Sequence, residues 1–118
     1  MTERTKLEKR IIAAAKAGEE WANRYETWLQ LDSDEKSFLA ALMQDIKKTK
    51  EGKVSVAELE MEARASTQFR EYLKGLSIAK GEELRAKVKY ENARDWFEAA
   101  RSQESTEREK MKTFKHIP

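Results

Sequence analysis

Residues able to do chemistry near neutral pH are few in this chain. His116 is the only histidine and is third from the end, and cysteine is absent, so disulfides and thiolate metal ligands are excluded. Carboxylates abound, but pairs such as Glu19-Glu20 are adjacent in sequence, and adjacent residues on a helix point in different directions. No metal-binding helix motif, phosphate-cradling glycine loop or nucleophile elbow occurs. We therefore expect no catalytic residue, no metal, no cofactor and no enzymatic activity.

Clustered cations provide a second kind of chemistry. Two short clusters surround single acids, one at Glu51 and one at Glu109. Such clusters release counterions from phosphates and bind nucleic acid without reading its sequence. Ordinary solubilising charge remains an alternative, and cations near a helix C-terminus also suit the helix dipole. The candidate nucleic-acid-binding residues are Lys47, Lys48, Lys50, Lys53, Arg108, Lys110, Lys112 and Lys115.

Aromatic side chains form a third candidate group. Trp21, Tyr25 and Trp28 could stack on bases, but their heptad spacing favours burial between helices. Trp96 and Phe97 are adjacent and cannot share one helix face, so we expect one of them to be partly exposed or to face a second partner. The candidate partner-interface residues are Leu7, Ile11, Trp21, Tyr25, Trp28, Trp96, Phe97 and Arg101.

Composition indicates the elements that carry these groups. The 118 residues include 39% hydrophobic and 39% charged residues, and the only proline is Pro118. Since proline breaks helices, we predict an all-α fold: an elongated helical hairpin or small bundle with coiled-coil-like packing and a long C-terminal helix. The apolar patch 11–15 is too short for a signal or membrane segment. We therefore expect a cytoplasmic protein that does not interact with a membrane.

The periodicity predicts one helical domain over residues 1–118 and a flexible tail at 113–118. We expect a break near Asp32, where capping residue types are concentrated, and a capping box at Ser55 and Glu58. Gly75 and Gly81 mark a kink or a turn, which leaves open whether the last two helices are continuous. The first helix carries a heptad row of apolar and small residues: Leu7, Ile11, Ala14, Gly18, Trp21, Tyr25 and Trp28. The predicted helices lie at about 4–30, 33–49, 55–76 and 79–112.

The segment 101–110 contains no apolar residue. A helix that is polar on every side bridges solvent, pairs with something outside the chain, or frays. The sequence leaves these three readings open.

Five segments between about residues 34 and 112 share a recognisable pattern: Asp34-Glu35-Lys36-x-Phe38-Leu39-Ala40, Ala63-Arg64-Ala65, Tyr72-Leu73-x-Gly75-Leu76, Ala86-Lys87-x-x-Tyr90-Glu91-x-Ala93-Arg94-x-Trp96-Phe97-Glu98-Ala99 and Arg101-Ser102-x-Glu104-Ser105. Together these segments resemble small helical proteins of bacteriophages and prophages, and the resemblance rests on common helix-forming types. It implies a phage context, in some cases beside recombination or single-strand annealing functions, and it assigns no catalytic residue.

Two functions follow as expectations. The first is a non-enzymatic phage-type accessory protein of DNA metabolism or recombination, which binds nucleic acid or its processing machinery in the bacterial host cell. The second is a helical protein-interaction module, an adaptor or inhibitor of a host protein, without nucleic-acid contact. The balanced charge of 24 basic and 22 acidic residues, net +2, creates no global field toward nucleic acid. The heptad row and the low apolar content predict a homodimer.

Overall fold

The computed structural model describes residues 5–115, with side chains through residue 113. These residues form three helices, α1 (Lys6–Thr49), α2 (Val56–Arg64) and α3 (Thr67–Lys115), and no strand. The predicted all-α fold with a long C-terminal helix is confirmed. Residues 116–118 of the predicted flexible tail lie outside the described part, while 113–115 belong to α3.

Helix α1 continues through the predicted break. Asp32, Ser33 and Asp34 are weak helix formers, but their side chains lie on the exposed face of the helix. Gln30 donates a hydrogen bond to Asp34 over 3.0 Å, and no glycine or proline occurs between Gly18 and Gly52. The two predicted helices at 4–30 and 33–49 are therefore one, because packing on both sides of the segment outweighs a small cost in propensity.

The Ser55 half of the predicted capping box is confirmed, whereas the predicted helix 55–76 is divided. The Ser55 hydroxyl accepts a hydrogen bond from the Glu58 N–H over 3.1 Å and starts α2. After nine residues α2 ends, and Ser66 starts α3 by accepting from the Phe69 N–H over 3.2 Å. From there α3 passes through Gly75 and Gly81 without interruption, so the last two predicted segments form one helix.

The contacts of the chain divide it into two units. Unit 1 contains Met1–Asn23 and Leu84–Pro118, and unit 2 contains Arg24–Glu83. Within unit 1, the start of α1 packs antiparallel to the end of α3, as the Arg10–Trp96 and Trp21–Tyr90 contacts show. Both units are therefore built on helical pairing, and the single-domain organisation stays a prediction.

Unit 2 holds the larger core. Leu39, Ala63 and Phe69 are buried together, and they bring α1, α2 and α3 into contact. The half-buried residues packed against them are those expected from the helical spacing, namely Phe38, Leu42, Met43 and Ile46. Tyr72 stacks on Phe38 with ring centroids 4.5 Å apart, and its hydroxyl donates to the Leu31 carbonyl.

The Tyr72 phenol is the group whose acidity this core changes. Burial raises its pKa above the ordinary value of 10.0, and nearby carboxylates, led by Asp34, raise it further by repelling the anion. The phenol is therefore held in the neutral form that donates the hydrogen bond.

Glu83 is a buried carboxylate at the end of unit 2, with 3% of its surface exposed. Lys80 places its ammonium 3.2 Å from Glu83 Oε2 and 3.9 Å from the centre of the Trp28 ring. One cation thus neutralises the acid and covers an aromatic face. This arrangement explains the burial of Glu83 as part of helix packing.

Five of the seven residues of the predicted heptad row are half-buried: Leu7, Ala14, Gly18, Trp21 and Trp28. The other two, Ile11 and Tyr25, are 45% and 44% exposed. Next to Ile11, half-buried Arg10 lies over Trp96 of α3. Next to Tyr25, exposed Arg24 pairs with Glu82 of α3 over 2.9 Å.

Gly18 marks the closest approach of the two helices in unit 1. A Cβ at this position would lie 3.1 Å from the Tyr90 ring. Tyr90 in turn stacks on Trp21 with ring centroids 5.4 Å apart. The small residue predicted to permit close helix approach therefore does so within the chain.

Candidate nucleic-acid interface

The lysine cluster near the end of α1 lies in unit 2 and is partly neutralised. Lys50 pairs with Glu62 of α2 over 3.1 Å, and Lys48 lies 4.0 Å from Asp45. Lys47 and Lys53 are exposed. Gly52, with a φ of 82°, turns the chain between them.

The second cluster lies in unit 1 and alternates with acids. Arg108 lies 3.8 Å from Glu104, and Lys112 lies 3.7 Å from Glu109. Residues 101–113 are helical and exposed on every side, and the side chain of Lys115 lies outside the described residues. Nucleic-acid contact by either cluster stays a prediction, and the carboxylates within both weaken their field.

A third group of cations, which sequence reasoning missed, gathers on one side of unit 1. Positions three and four apart form one row along a helix, and two such rows border this side. The row on α1 consists of Lys6, Lys9, Ala13, Lys16 and Glu20, and the row on α3 consists of Arg85, Lys89, Asn92, Trp96, Ala99 and Gln103.

Two contacts place these rows on the same side of the helix pair. The Arg10 guanidinium lies 4.6 Å from the centre of the Trp96 ring and donates a hydrogen bond to the Trp96 carbonyl over 2.9 Å. In the second contact, seven positions before Trp96 on α3 and ten positions after Arg10 on α1, Lys89 pairs with Glu20 over 3.2 Å. We call the two rows together with Arg10 the basic face.

The basic face concentrates charge that the chain as a whole lacks. It holds six basic side chains and one carboxylate, a local charge of +5, whereas the whole chain carries +2. The remaining residues therefore carry −3. Among the described residues, five of the six cations have no carboxylate within 4.0 Å: Lys6, Lys9, Arg10, Lys16 and Arg85.

The side of α1 that lies away from the basic face has a different character. It presents Glu8, Ile11, Ala15, Glu19 and Ala22, all of them exposed. On α1, apolar and acidic side chains are thus separated from the cations of the basic face, which attract phosphates.

The aromatic candidates separate by exposure. Trp21 and Phe97 are half-buried in unit 1 and Trp28 is half-buried in unit 2, while Trp96 is 65% exposed. The prediction that one of the adjacent aromatics Trp96 and Phe97 is exposed is confirmed. Arg101 is also exposed.

A pocket at the start of α1 offers little for catalysis. Its hydroxyl group, on Thr5, accepts a hydrogen bond from the Glu8 N–H over 3.2 Å and so caps the helix. Its charged groups are one lysine and two glutamates, and its lining consists of Thr5, Lys6, Leu7, Ala100, Gln103, Glu104 and Glu107. Within residues 5–115, no three His, Cys, Asp or Glu side chains come together as metal ligands.

Comparison of the chain with protein families, curated proteins and solved structures finds no match. The described helices also contain no stretch with the length and apolar character of a membrane span.

Proposed function

We propose that this protein is a non-enzymatic accessory protein of DNA metabolism that binds nucleic acid through the basic face of unit 1. The observation that carries the proposal is the segregation of charge, with +5 gathered on one side of a chain whose total is +2. Lysines and arginines on an exposed helical surface displace counterions from phosphates. Such binding depends on salt and is indifferent to sequence.

The phage context of the proposal comes from the resemblance of residues 34–112 to small phage and prophage proteins. The proposal accordingly includes a location in the cytoplasm of a bacterial host. Some of the proteins that the chain resembles are encoded beside recombination or single-strand annealing functions. The two lysine clusters at 47–53 and 108–115 are secondary candidates, because acids alternate with their cations.

Fluorescence anisotropy of a labelled oligonucleotide tests the proposal. We expect binding at about 50 mM salt and its loss as salt rises, since the attraction is electrostatic. Absence of binding to single-stranded and duplex DNA at that salt concentration would overturn the proposal. The second function would then take its place.

The second candidate function is a helical protein-interaction module, an adaptor or inhibitor of a host protein without nucleic-acid contact. Separately, we propose that the chain pairs with a second copy of itself. Among the described residues of unit 1, the buried apolar side chains are alanines, whereas Ile11 on α1 is 45% exposed. A helix pair with so little buried apolar area gains stability from a further helical layer. We propose that the second copy packs on the side of α1 that carries Ile11, away from the basic face.

Sedimentation velocity at micromolar concentration tests the homodimer. Ile11→Glu is expected to convert the dimer to monomer, because it places a charge in the apolar contact. Val88→Glu, at an exposed position on α3, is the matched control and should leave the dimer intact. A wild-type protein that sediments as a monomer would contradict the homodimer and leave the nucleic-acid proposal standing.

A further inference from the structure

Trp96 lies within the basic face, and its exposure is unusual for so large a ring. Although Arg10 lies over the ring, 65% of the Trp96 surface reaches solvent. The two side chains nearest to it along its row on α3 are small and uncharged, namely Asn92 and Ala99. The ring is therefore open to a flat ligand.

Arg10 fixes the ring from one side. Its guanidinium stacks at 4.6 Å from the ring centre and also bonds the Trp96 carbonyl over 2.9 Å. These two contacts restrain both side chains before any ligand arrives, which lowers the entropy lost on binding. They also place a positive charge next to the aromatic face.

An exposed aromatic ring among cations matches the chemistry of an unpaired nucleotide. Every base has a π-face that stacks on an aromatic side chain, and the adjoining phosphates are attracted to lysine and arginine. In a duplex the base faces are already stacked on one another, so only a single strand can use the ring. Lys6 and Lys9 on α1 are exposed on the same side and can reach the backbone of such a strand.

We propose that Trp96 stacks an unpaired base, so that the basic face binds single-stranded nucleic acid in preference to duplex. This inference rests on the proposed function, since it assumes that the face binds nucleic acid. It adds the substrate class and the residue that selects it.

The test compares oligo-dT with a hairpin duplex of equal phosphate number, using wild type, Trp96→Ala and Trp96→Phe. Trp96→Ala is expected to weaken oligo-dT binding about 5- to 150-fold, the range for loss of one stacked base. Its duplex affinity should change by less than about twofold, since phosphate contacts are kept. Trp96→Phe should fall between wild type and the alanine variant, because a smaller ring still stacks.

Val88→Ala is the matched control, since it also removes an exposed apolar side chain from α3 and should change neither affinity. Quenching of tryptophan fluorescence by oligo-dT should be seen in the wild type and be reduced in Trp96→Phe.

The outcomes separate the two proposals. Equal effects of Trp96→Ala on single strand and duplex, or no effect on either, would overturn the stacking role and leave the nucleic-acid function intact. A change in sedimentation with unchanged oligo-dT binding would assign Trp96 to a protein contact and overturn the stacking role too. Failure of the wild type to bind any DNA would overturn both proposals.

Discussion

Removing three lysines from the basic face should flatten the salt dependence of DNA binding. The variant Lys6→Gln, Lys9→Gln, Lys16→Gln changes exposed side chains of α1 that have no carboxylate partner among the described residues. Glutamine is as good a helix former as lysine, so α1 should remain folded. The change therefore acts on charge.

The size of the effect follows from the number of unpaired cations. Five such cations on a single strand give a slope of log affinity against log salt of about −3.5, and two give about −1.4. Between about 50 and about 200 mM salt, the wild type should lose about 100-fold in affinity and the variant about sevenfold. Anisotropy titrations with labelled oligo-dT at four salt concentrations measure both slopes.

A matched variant controls for total charge. Lys47→Gln, Lys48→Gln, Lys53→Gln removes three lysines from the cluster in unit 2 and should leave the slope nearly unchanged. If that variant flattened the slope while the α1 variant did not, the assignment to the basic face would be wrong. The cluster at 47–53 would then be the binding surface.

Three further predictions concern stability, each measured by urea unfolding followed by circular dichroism. Gly75→Ala should raise the unfolding free energy by about 0.5–1 kcal/mol, since a Cβ there meets nothing within 4 Å. Gly18→Ala should raise the unfolding free energy by less, because its Cβ would lie 3.1 Å from the Tyr90 ring. An equal increase at both positions would refute this account. Ser55→Ala should cost about 1 kcal/mol by removing the cap of α2, and Ser55→Gly should cost only a few tenths. Tyr72→Phe should cost about 1 kcal/mol near pH 8 through the lost hydrogen bond. The pKa of the Tyr72 phenol is raised above 10.0 in the folded chain, so the wild type should lose the stability given by the neutral phenol as the pH rises past that value. The difference in unfolding free energy between wild type and Tyr72→Phe should therefore narrow near about pH 11. A difference that widens would contradict the raised pKa.

The helical fold could be predicted because its signals are local. Ser55 and Glu58 lie within one turn of each other. Leu39, Ala63 and Phe69 each belong to a series of apolar residues that recur at helical spacing in their own segment. The expected break near Asp32 was wrong because capping residues favour helix ends only where packing does not hold the helix on both sides. That packing comes from Tyr72, which is distant in sequence.

The basic face could not be read from the sequence, because its charges come from two segments about seventy residues apart. Lys6, Lys9 and Arg10 surround Glu8, and Arg85, Lys87 and Lys89 alternate with apolar residues, so each segment by itself carries only a short basic cluster like those at Glu51 and Glu109. Only the antiparallel register, fixed by Arg10 on Trp96, brings them to one side. The same register places Arg10, rather than the predicted Ile11, against the Trp96 ring.

The uneven distribution of charge also affects how copies of the protein behave toward one another. A protein with a charge of +5 on the basic face and −3 on its remaining residues attracts other copies of itself at low ionic strength. At about 0.01 M salt the screening length reaches about 30 Å, so the opposite charges of two copies interact. Assemblies formed in this way would dissolve on adding salt, whereas contacts made by Ile11 and its neighbours would persist or strengthen. Ionic strength therefore distinguishes the two kinds of self-association in one and the same sample.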